Sequence, residues 1–277
     1  MSGGGRRRQC QRAARTWRLG VLAALLAAAS APAVRAEAEC GAPTRLRFEL
    51  VRTIARNALG LTQGLEMHGS RLYESTGRID GTSQVNVIDL SGQVTTLVEL
   101  GTKVFGEGLT VLDGEVFQLT WQEHEVFVYD LAGRKTRTMH NPYFGWGLAN
   151  DGHALVFTDG SEWLRFADPK TFAETRSLAI RVGARALRGV NELEFVDRKL
   201  YGNVFLTREI VRLDPQTGCV EAVADLSALW NAMDEAERQR IEGNPQYVLN
   251  GIAYDRERGL FYLTGKRWRY IFAGRFR

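Results

Sequence analysis

Glu107 is the residue of this sequence that is best placed for acid–base chemistry. It lies in the segment 105–109 (FGEGL), between two glycines that let the backbone approach a neighbouring group closely. A carboxylate at the start of a strand, among aromatic side chains, would be partly desolvated, and its pKa would rise towards neutral pH. Such a group can accept a proton and return it during a reaction. The alternative is a structural Glu that is hydrogen-bonded inside the fold.

A repeat in the sequence places four other polar or aromatic residues at positions equivalent to Glu107. A glycine–hydrophobic pair (Glu–Leu in the fourth copy), followed by a turn and a short apolar strand, starts at residues 64, 108, 147, 192 and 251. The intervals of 44, 39, 45 and 59 residues, each holding several strands, predict a five-bladed β-propeller. The first strand of each blade lines the axis, so the residues that precede these starts should meet there. They are Gln63, Glu107, Trp146, Asn191 and Asn250.

Two further candidates lie where second strands are expected to end. Trp121 follows the second strand of the unit that contains Glu107, and Lys266 follows the apolar strand of the last unit. A tryptophan of a propeller is more often part of the core, and a lysine at a strand end can extend to solvent or point at the channel mouth. The amides of Gln63 and Asn191 can both donate and accept hydrogen bonds. Glu107 is the one obvious acid that this reading places on the axis.

The other chemically reactive residues do not form a catalytic or metal-binding motif. The four histidines share no ligand spacing, and the sequence contains no HExxH, CxxC or GxSxG motif. The glycine pair around Glu107 lacks the strand–turn–helix context of a dinucleotide-binding loop. The sequence therefore predicts no catalytic metal and no required cofactor, while a structural ion on the axis stays possible.

Strand patterns dominate the chain from residue 47 onward and predict an all-β fold. Segments 85–90, 126–131 and 209–214 alternate, end in turns and are expected to be third strands of blades. The last unit lacks an outer strand, which the segment 46–51 can supply, so that the N-terminal strand closes the ring and hides the sheet edges. One helical insertion is predicted over 227–243, with a Ser cap and Gly243 as its end. It either covers the substrate or has no functional role.

The N-terminal residues 1–36 are predicted to be a signal peptide. A basic region precedes the apolar segment 19–29, and cleavage is expected after Ala36, with Ala31 as a second choice. Residues 37–277 would then be one exported catalytic domain, periplasmic or secreted, and a monomer is expected. Loss of the seven arginines of the signal changes the formal net charge from +4 to −3, which argues against a nucleic-acid partner. No later apolar run is long enough to span a membrane.

Cys40 and Cys219 are the cysteines that remain after removal of the predicted signal peptide. In an exported protein they could join the N-terminal segment to a late blade by a disulfide bond. Two unrelated thiols are the alternative, because the sequence does not give the distance between the two residues.

Eight short motifs, in this order, resemble those of the plant-type (papaya-type) glutaminyl-peptide cyclotransferases. They are 62–65 (TQGL), 73–77 (YESTG), 105–110 (FGEGLT), 145–148 (GWGL), 158–161 (TDGS), 191–194 (NELE), 248–253 (VLNGIA) and 264–266 (TGK). The resemblance covers roughly residues 46–268. It implies a five-bladed propeller that converts the N-terminal glutamine of peptides to pyroglutamate and releases ammonia.

The resemblance also implies roles for individual residues, with Glu107 as the catalytic group. The residues expected around the substrate are Gln63, Phe105, Trp121, Trp146, Asn191, Phe205 and Lys266. Three positions differ from the usual family pattern: Leu61 replaces Phe, Phe205 replaces Trp and Arg269 replaces Pro. The changes at Leu61 and Phe205 soften the aromatic wall, so they bear on affinity or substrate preference more than on the reaction.

Two other classes of propeller fit the sequence less well. A non-catalytic exported propeller that binds a protein partner would have no need of Glu107 between two glycines beside Trp146. A lactonase-like propeller would need a carboxylate-rich calcium site, and the predicted axis has one obvious acid.

Overall fold

The computed structural model describes Met1 and residues 40–78 and 81–277. These residues form five main sheets around a central axis and one small hairpin. Two strands precede the first blade: β1 (Thr44–Leu46) and β2 (Phe48–Ala55). The first blade contains β3 (Leu61–His68), β4 (Arg71–Gly77), β5 (Gln84–Asp89) and β6 (Val94–Glu99). The second contains β7 (Gly106–Leu112), β8 (Glu115–Thr120), β9 (Glu125–Asp130) and β10 (Lys135–His140).

The remaining three blades follow in chain order. The third contains β11 (Leu148–Asn150), β12 (Leu155–Phe157), β13 (Trp163–Ala167) and β14 (Glu174–Ala179). The hairpin β15 (Arg181–Val182) and β16 (Arg185–Ala186) leads to the fourth blade. The fourth contains β17 (Val190–Val196), β18 (Lys199–Val204), β19 (Glu209–Leu213) and β20 (Val220–Asp225). The fifth contains β21 (Leu249–Asp255), β22 (Leu260–Gly265) and β23 (Tyr270–Phe276). This arrangement confirms the predicted five-bladed β-propeller.

The first strands of the blades line the axis, as the repeat predicted. Each contacts the first strand of the next blade, and β21 contacts β3 to complete the ring. The apolar residue of each repeated pair is almost fully buried, which explains why the pair recurs. These residues are Leu65, Leu109, Leu148, Leu193 and Ile252. The glycines allow neighbouring strands to approach closely, because a Cβ on Gly64 would collide with the backbone of Leu109.

The N-terminal strand closes the propeller, which confirms the second expectation about the fold. Strand β2 pairs antiparallel with β23, from Phe48 opposite Phe276 to Ala55 opposite Tyr270, and becomes the outer strand of the fifth blade. Strand β1 adds to the edge of the fourth blade by parallel pairing with β20. A disulfide bond joins Cys40 to Cys219, with 5.2 Å between their Cα atoms. The first of the two cysteine alternatives is therefore the one the structure shows.

The helical insertion lies where it was predicted but consists of two helices. A 3₁₀ helix spans Ser227–Ala232 and has no side-chain cap, so the predicted Ser cap is wrong. Met233 is extended and ends it, and Asp234 then caps α1 (Glu235–Glu242) by accepting a hydrogen bond from the N–H of Glu237. Trp230 packs edge-on against Trp268 with 5.0 Å between ring centroids, which fixes the insertion on the fifth blade.

The predicted signal peptide, residues 1–36, lies outside the described residues apart from Met1, and it stays a prediction. In the part of the chain that is described, helices are too short or too polar to cross a lipid bilayer.

Candidate active site

A cavity of about 310 Å³ lies at one end of the propeller axis, and its lining includes the predicted catalytic residue and the seven residues expected around the substrate. Its lining is Leu61, Gln63, Arg78, Phe105, Glu107, Trp121, Trp146, Asn191, Phe205, Gln246 and Lys266. The volume is near the lower end of the usual range for ligand pockets, roughly 300–1,000 Å³. The cavity is therefore suited to a small group, such as one end of a peptide.

The antiparallel blades explain why residues so distant in the sequence meet. First strands begin at this end of the axis and carry Gln63, Glu107 and Asn191. Second strands end there, so Trp121 and Lys266 follow the last residues of β8 and β22 directly. The first, second and fourth blades thus contribute from both positions, the start of the first strand and the end of the second.

Backbone contacts on both sides fix the position of Glu107. The N–H of Gly108 donates to the carbonyl of Trp146 at 2.7 Å, and the N–H of Gly106 donates to Ser83 Oγ at 3.1 Å. A Cβ on Gly108 would collide with the backbone of Leu148, since the second and third blades are in contact here. The two glycines therefore allow the close approach that the sequence suggested.

The carboxylate of Glu107 is buried, with 6% of the residue exposed, and it faces the cavity. Among the described residues it has no side-chain hydrogen bond, which argues against a purely structural role. Burial raises the pKa of Glu107 to about 8, the charge of Lys266 opposes this, and Glu123 adds to it. Burial also lowers the pKa of Lys266, while Glu107 raises it. Burial therefore disfavours the charged form of both groups, and the attraction between their charges partly offsets this effect.

The two amides of the cavity also lack partners. Gln63 Oε1 and Asn191 Oδ1 are buried and accept no hydrogen bond from the described residues. Buried polar atoms of native proteins are usually satisfied, and exceptions need an explanation. A ligand that brings N–H donors into the cavity would supply the missing bonds.

Aromatic rings form the wall of the cavity. Phe105 and Trp121 lie 5.6 Å apart between ring centroids, and Trp146 contacts Phe205 edge-on at 5.4 Å. The Lys266 ammonium lies 5.0 Å from the centroid of the Phe205 ring. This wall keeps the polar groups in an environment of low polarity, where charge interactions are stronger than in water.

Asn250 does not line the cavity, although its position is equivalent to that of Glu107. Its Nδ2 donates to the backbone carbonyls of Thr62 and Gln63 at 3.0 and 3.3 Å. The convergence predicted for this residue is therefore wrong. Asn250 instead holds the strand that presents Gln63.

Sequence reasoning did not include Arg78 and Gln246 in the site. Arg78 follows the last residue of β4, so the rule that identified Trp121 and Lys266 would also have identified Arg78. Gln246 lies in the linker after α1, and no local pattern of the sequence places it near the axis.

The expectation of one acid on the axis is wrong. First strands β3 and β17 also present Glu66, Glu192 and Glu194, of which the last two are buried. Glu66 and Glu194 line a second cavity, of about 340 Å³, that does not include Glu107. Within residues 40–78 and 81–277, no group of three or more His, Cys, Asp or Glu is placed to hold a metal ion.

The fold and the cavity define a five-bladed β-propeller with a buried carboxylate at one end of its axis, and this carboxylate makes no side-chain hydrogen bond within the described residues. A sequence profile described as glutamine cyclotransferase matches residues 21–276, and the chain belongs to this family. The predicted enzyme class, and not the non-catalytic alternative, is thereby confirmed.

Two individual proteins support the assignment. The chain is 36% identical over 225 residues to a glutaminyl-peptide cyclotransferase of Arabidopsis thaliana, and the match covers 80% of this chain and 68% of the plant protein. It also resembles the crystal structure of Myxococcus xanthus glutaminyl cyclase with a TM-score of 0.74 and 31% identity. That match covers 84% of this chain and 98% of the Myxococcus chain.

Proposed function

We propose that this protein is a glutaminyl-peptide cyclotransferase, which converts the N-terminal glutamine of peptides to pyroglutamate and releases ammonia. The observation that carries the proposal is a small aromatic cavity in which four polar side chains make no side-chain hydrogen bond within the described residues. These side chains belong to Gln63, Glu107, Asn191 and Lys266. The relatives named above carry out this type of reaction according to their names.

The reaction needs one group that moves protons between two nitrogen atoms. The α-amine attacks the γ-carboxamide carbon and forms a C–N bond, and the bond from that carbon to NH₂ breaks. An ammonium substrate first loses one proton to solvent. The attacking nitrogen must then lose a second proton as the C–N bond forms, and the leaving NH₂ must gain that proton to depart as NH₃. We assign both transfers to Glu107, because its pKa of about 8 is close to that of an α-amine, about 7.7–8.0.

The other polar groups would hold the carboxamide. Negative charge develops on its oxygen during the attack, and the Lys266 ammonium or an amide N–H of Gln63 or Asn191 can stabilise that charge. The free oxygens of the two amides can accept from the substrate amine and carboxamide. The aromatic wall of Trp121 and Trp146 would enclose the glutamine side chain and exclude water.

The side chains of the cavity are sufficient for this mechanism, so we propose that no metal or other cofactor is required for catalysis. A structural ion elsewhere on the axis is compatible with this proposal. The experiment that tests the proposal is mass spectrometry of a Gln-initiated peptide incubated with residues 37–277. We expect a loss of about 17 Da, the mass of ammonia, at a rate that survives dialysis against a strong chelator.

A matched peptide with N-terminal Glu is the control for this experiment. Its γ-carboxylate would meet like charge in a poorly screened site whenever Glu107 is ionised to act as the base, so turnover should be slow or absent. An unchanged mass of the Gln peptide would contradict the proposed reaction. Loss of activity on chelation that zinc restores would contradict the metal-independent mechanism alone.

We further propose that the protein acts after export, in the periplasm or outside the cell, as a monomer. The pattern of residues 1–36 supports export, and the disulfide between Cys40 and Cys219 is the kind of bond that persists in oxidising compartments. Peptides or proteins with an exposed N-terminal Gln would be its partners. Since only position one of a substrate carries the α-amine, we expect broad tolerance for the residues that follow.

Replacing Phe205 by Trp should tighten substrate binding. Phe205 lies in the cavity wall against Trp146 and Lys266, and a larger ring there would extend the apolar contact with the glutamine side chain. We expect KM for a series of Gln-dipeptides to fall about two- to tenfold, equivalent to roughly 0.5–1.5 kcal/mol, with kcat little changed. An unchanged KM across the series would show that this ring does not contact the substrate.

A further inference from the structure

We propose that Glu123 is a positioning residue for this reaction: its carboxylate fixes the Phe105–Glu107 segment and places a second negative charge near the proton shuttle. The proposal rests on the proposed function, in which Glu107 moves the protons. Glu123 lies in the loop between β8 and β9, and it is not part of the cavity lining.

The hydrogen bonds of Phe105 show how the segment is held. Glu123 Oε1 accepts from the N–H of Phe105 at 3.0 Å, and the N–H of Trp121 donates to the carbonyl of Phe105 at 2.9 Å. Both backbone groups of Phe105 are therefore bound by one loop. The same loop carries Trp121, whose ring packs on that of Phe105. A change in this loop would shift Glu107 and two rings of the wall together.

The loop is itself anchored to the segment 141–147, which links the second blade to the third. The Nδ1 atom of His124 lies 3.0 and 3.2 Å from the carbonyls of Asn141 and Tyr143, and the N–H of Asn141 donates to the His124 carbonyl at 2.8 Å. The N–H of Gly145 donates to the carbonyl of Trp121 at 3.1 Å. The position of Glu123 is therefore set by several bonds, as expected for a group that orients another.

The charge of Glu123 acts on the same carboxylate. Burial is the largest cause of the raised pKa of Glu107, Lys266 opposes it, and Glu123 reinforces it. Arg78 is a further charged group of the cavity lining. If Glu123 carried no charge, the pKa of Glu107 should be lower than in the wild type. It would then lie further from the pKa of the substrate α-amine. Proton transfer between groups of similar pKa is the more efficient arrangement.

The test compares two substitutions that separate the charge from the anchor. Glu123→Gln removes the charge but keeps an oxygen that can accept from the Phe105 N–H, whereas Glu123→Ala removes both. Asp89→Asn is a matched control, because Asp89 also accepts backbone N–H groups in a turn, from Ser91 and Gln93, and lies at the other end of its blade. Profiles of kcat/KM against pH are recorded for all four proteins, with thermal unfolding as a check of the fold.

The two substitutions should have different effects. For Glu123→Gln we expect the profile to move to lower pH by at least about 0.3 unit, a twofold change in proton affinity. For Glu123→Ala we expect the same direction and, in addition, a fall of about tenfold or more in kcat/KM at every pH, because the Phe105 segment loses its anchor. Asp89→Asn should superimpose on the wild type. A Glu123→Gln profile that superimposes on the wild type, or a fully active Glu123→Ala protein, would overturn the proposal.

A separate readout distinguishes failure of this inference from failure of the proposed function. If no Gln peptide is turned over by the wild type, the proposed function is wrong and no activity profile exists. The titration of Glu107 can still be followed by NMR in protein with carboxyl-labelled glutamate, assigned through the Glu107→Gln variant. A lower midpoint in Glu123→Gln than in the wild type supports the electrostatic effect of Glu123, and equal midpoints contradict it.

Discussion

Glu107→Gln should lower kcat for a Gln-initiated peptide by about a hundredfold or more while leaving the fold intact. General acid–base catalysis typically contributes 10²–10⁴-fold, and an amide cannot take the proton of the amine and deliver it to the leaving group. KM should change little, because the substitution keeps the shape of the side chain. Ammonia release and peptide mass are the measurements, with single-turnover kinetics to separate chemistry from product release.

The stability of the same variant distinguishes a catalytic Glu from a structural one. Glu107 makes no side-chain hydrogen bond to the described residues. Its ionised form is destabilised because the buried carboxylate has lost its hydration. An amide removes that cost, so the unfolding temperature should stay about the same at pH 7. A near-normal rate would contradict the assignment to Glu107, and a large fall in stability would indicate the structural role. Glu66→Gln, the same exchange on another first strand outside this cavity, should keep full activity.

The repeat explains why the sequence predicted so much of the site. Gln63, Glu107 and Asn191 occupy equivalent positions of first strands, and any antiparallel propeller brings such positions to one end of its axis. The predicted third strands and the closing strand β2 follow from alternation and turn residues, which are local signals. The two flanking glycines made Glu107 a candidate for acid–base chemistry, and the family motifs implied its catalytic role.

Residues outside the strands were not predictable in the same way. The position of Glu123 depends on its hydrogen bond with Phe105 and on the contact of His124 with the linker that follows β10, and neither leaves a periodic pattern. Gln246 reaches the cavity through the linker after α1. The Ser cap failed for a related reason: Asp234 competes with Ser227 as the start of a helix, and the extended Met233 separates the two.

The additional acids were missed because only one position of each first strand was considered. Both β3 and β17 carry a bulge at Gln63 and Asn191, which breaks the simple alternation of their side chains, so residues further along these strands also lie at the axis, nearer its other end. Burial raises the pKa of Glu66 to about 7 and those of Glu192 and Glu194 well above their usual range. Carboxyl groups with raised pKa values in the folded protein favour folding at low pH and lose that contribution as pH rises through the folded value.

Glu192→Gln should lower the free energy of unfolding by about 2–4 kcal/mol, because Glu192 joins three blades across the axis. Glu192 belongs to the fourth blade and is fully buried. One carboxylate oxygen accepts from the N–H of Leu65 in the first blade at 3.0 Å, and the other accepts from the N–H of Ile252 in the fifth at 2.7 Å. An amide would direct an NH₂ group at one of these donors and leave both groups unsatisfied, at about 1–3 kcal/mol each.

Thermal unfolding at several pH values is the measurement for this variant, with Glu66→Gln as its control. In a domain of this size the expected loss corresponds to a fall of roughly 5–15 °C in Tm. Glu66 accepts a hydrogen bond from the Thr110 hydroxyl, which an amide oxygen can also accept. The contribution of Glu66 to stability is complete below its pKa in the unfolded chain, about 4.3, and is lost as pH rises through its pKa in the folded protein, about 7. Above pH 7 the Glu66→Gln protein should therefore be more stable than at lower pH, relative to the wild type. A lower Tm for Glu192→Gln together with a higher Tm for Glu66→Gln above pH 7 would show that Glu192 is needed for its hydrogen bonds with two backbone N–H groups, and not because of its burial alone. A Glu192→Gln protein that unfolds with the wild type would contradict this.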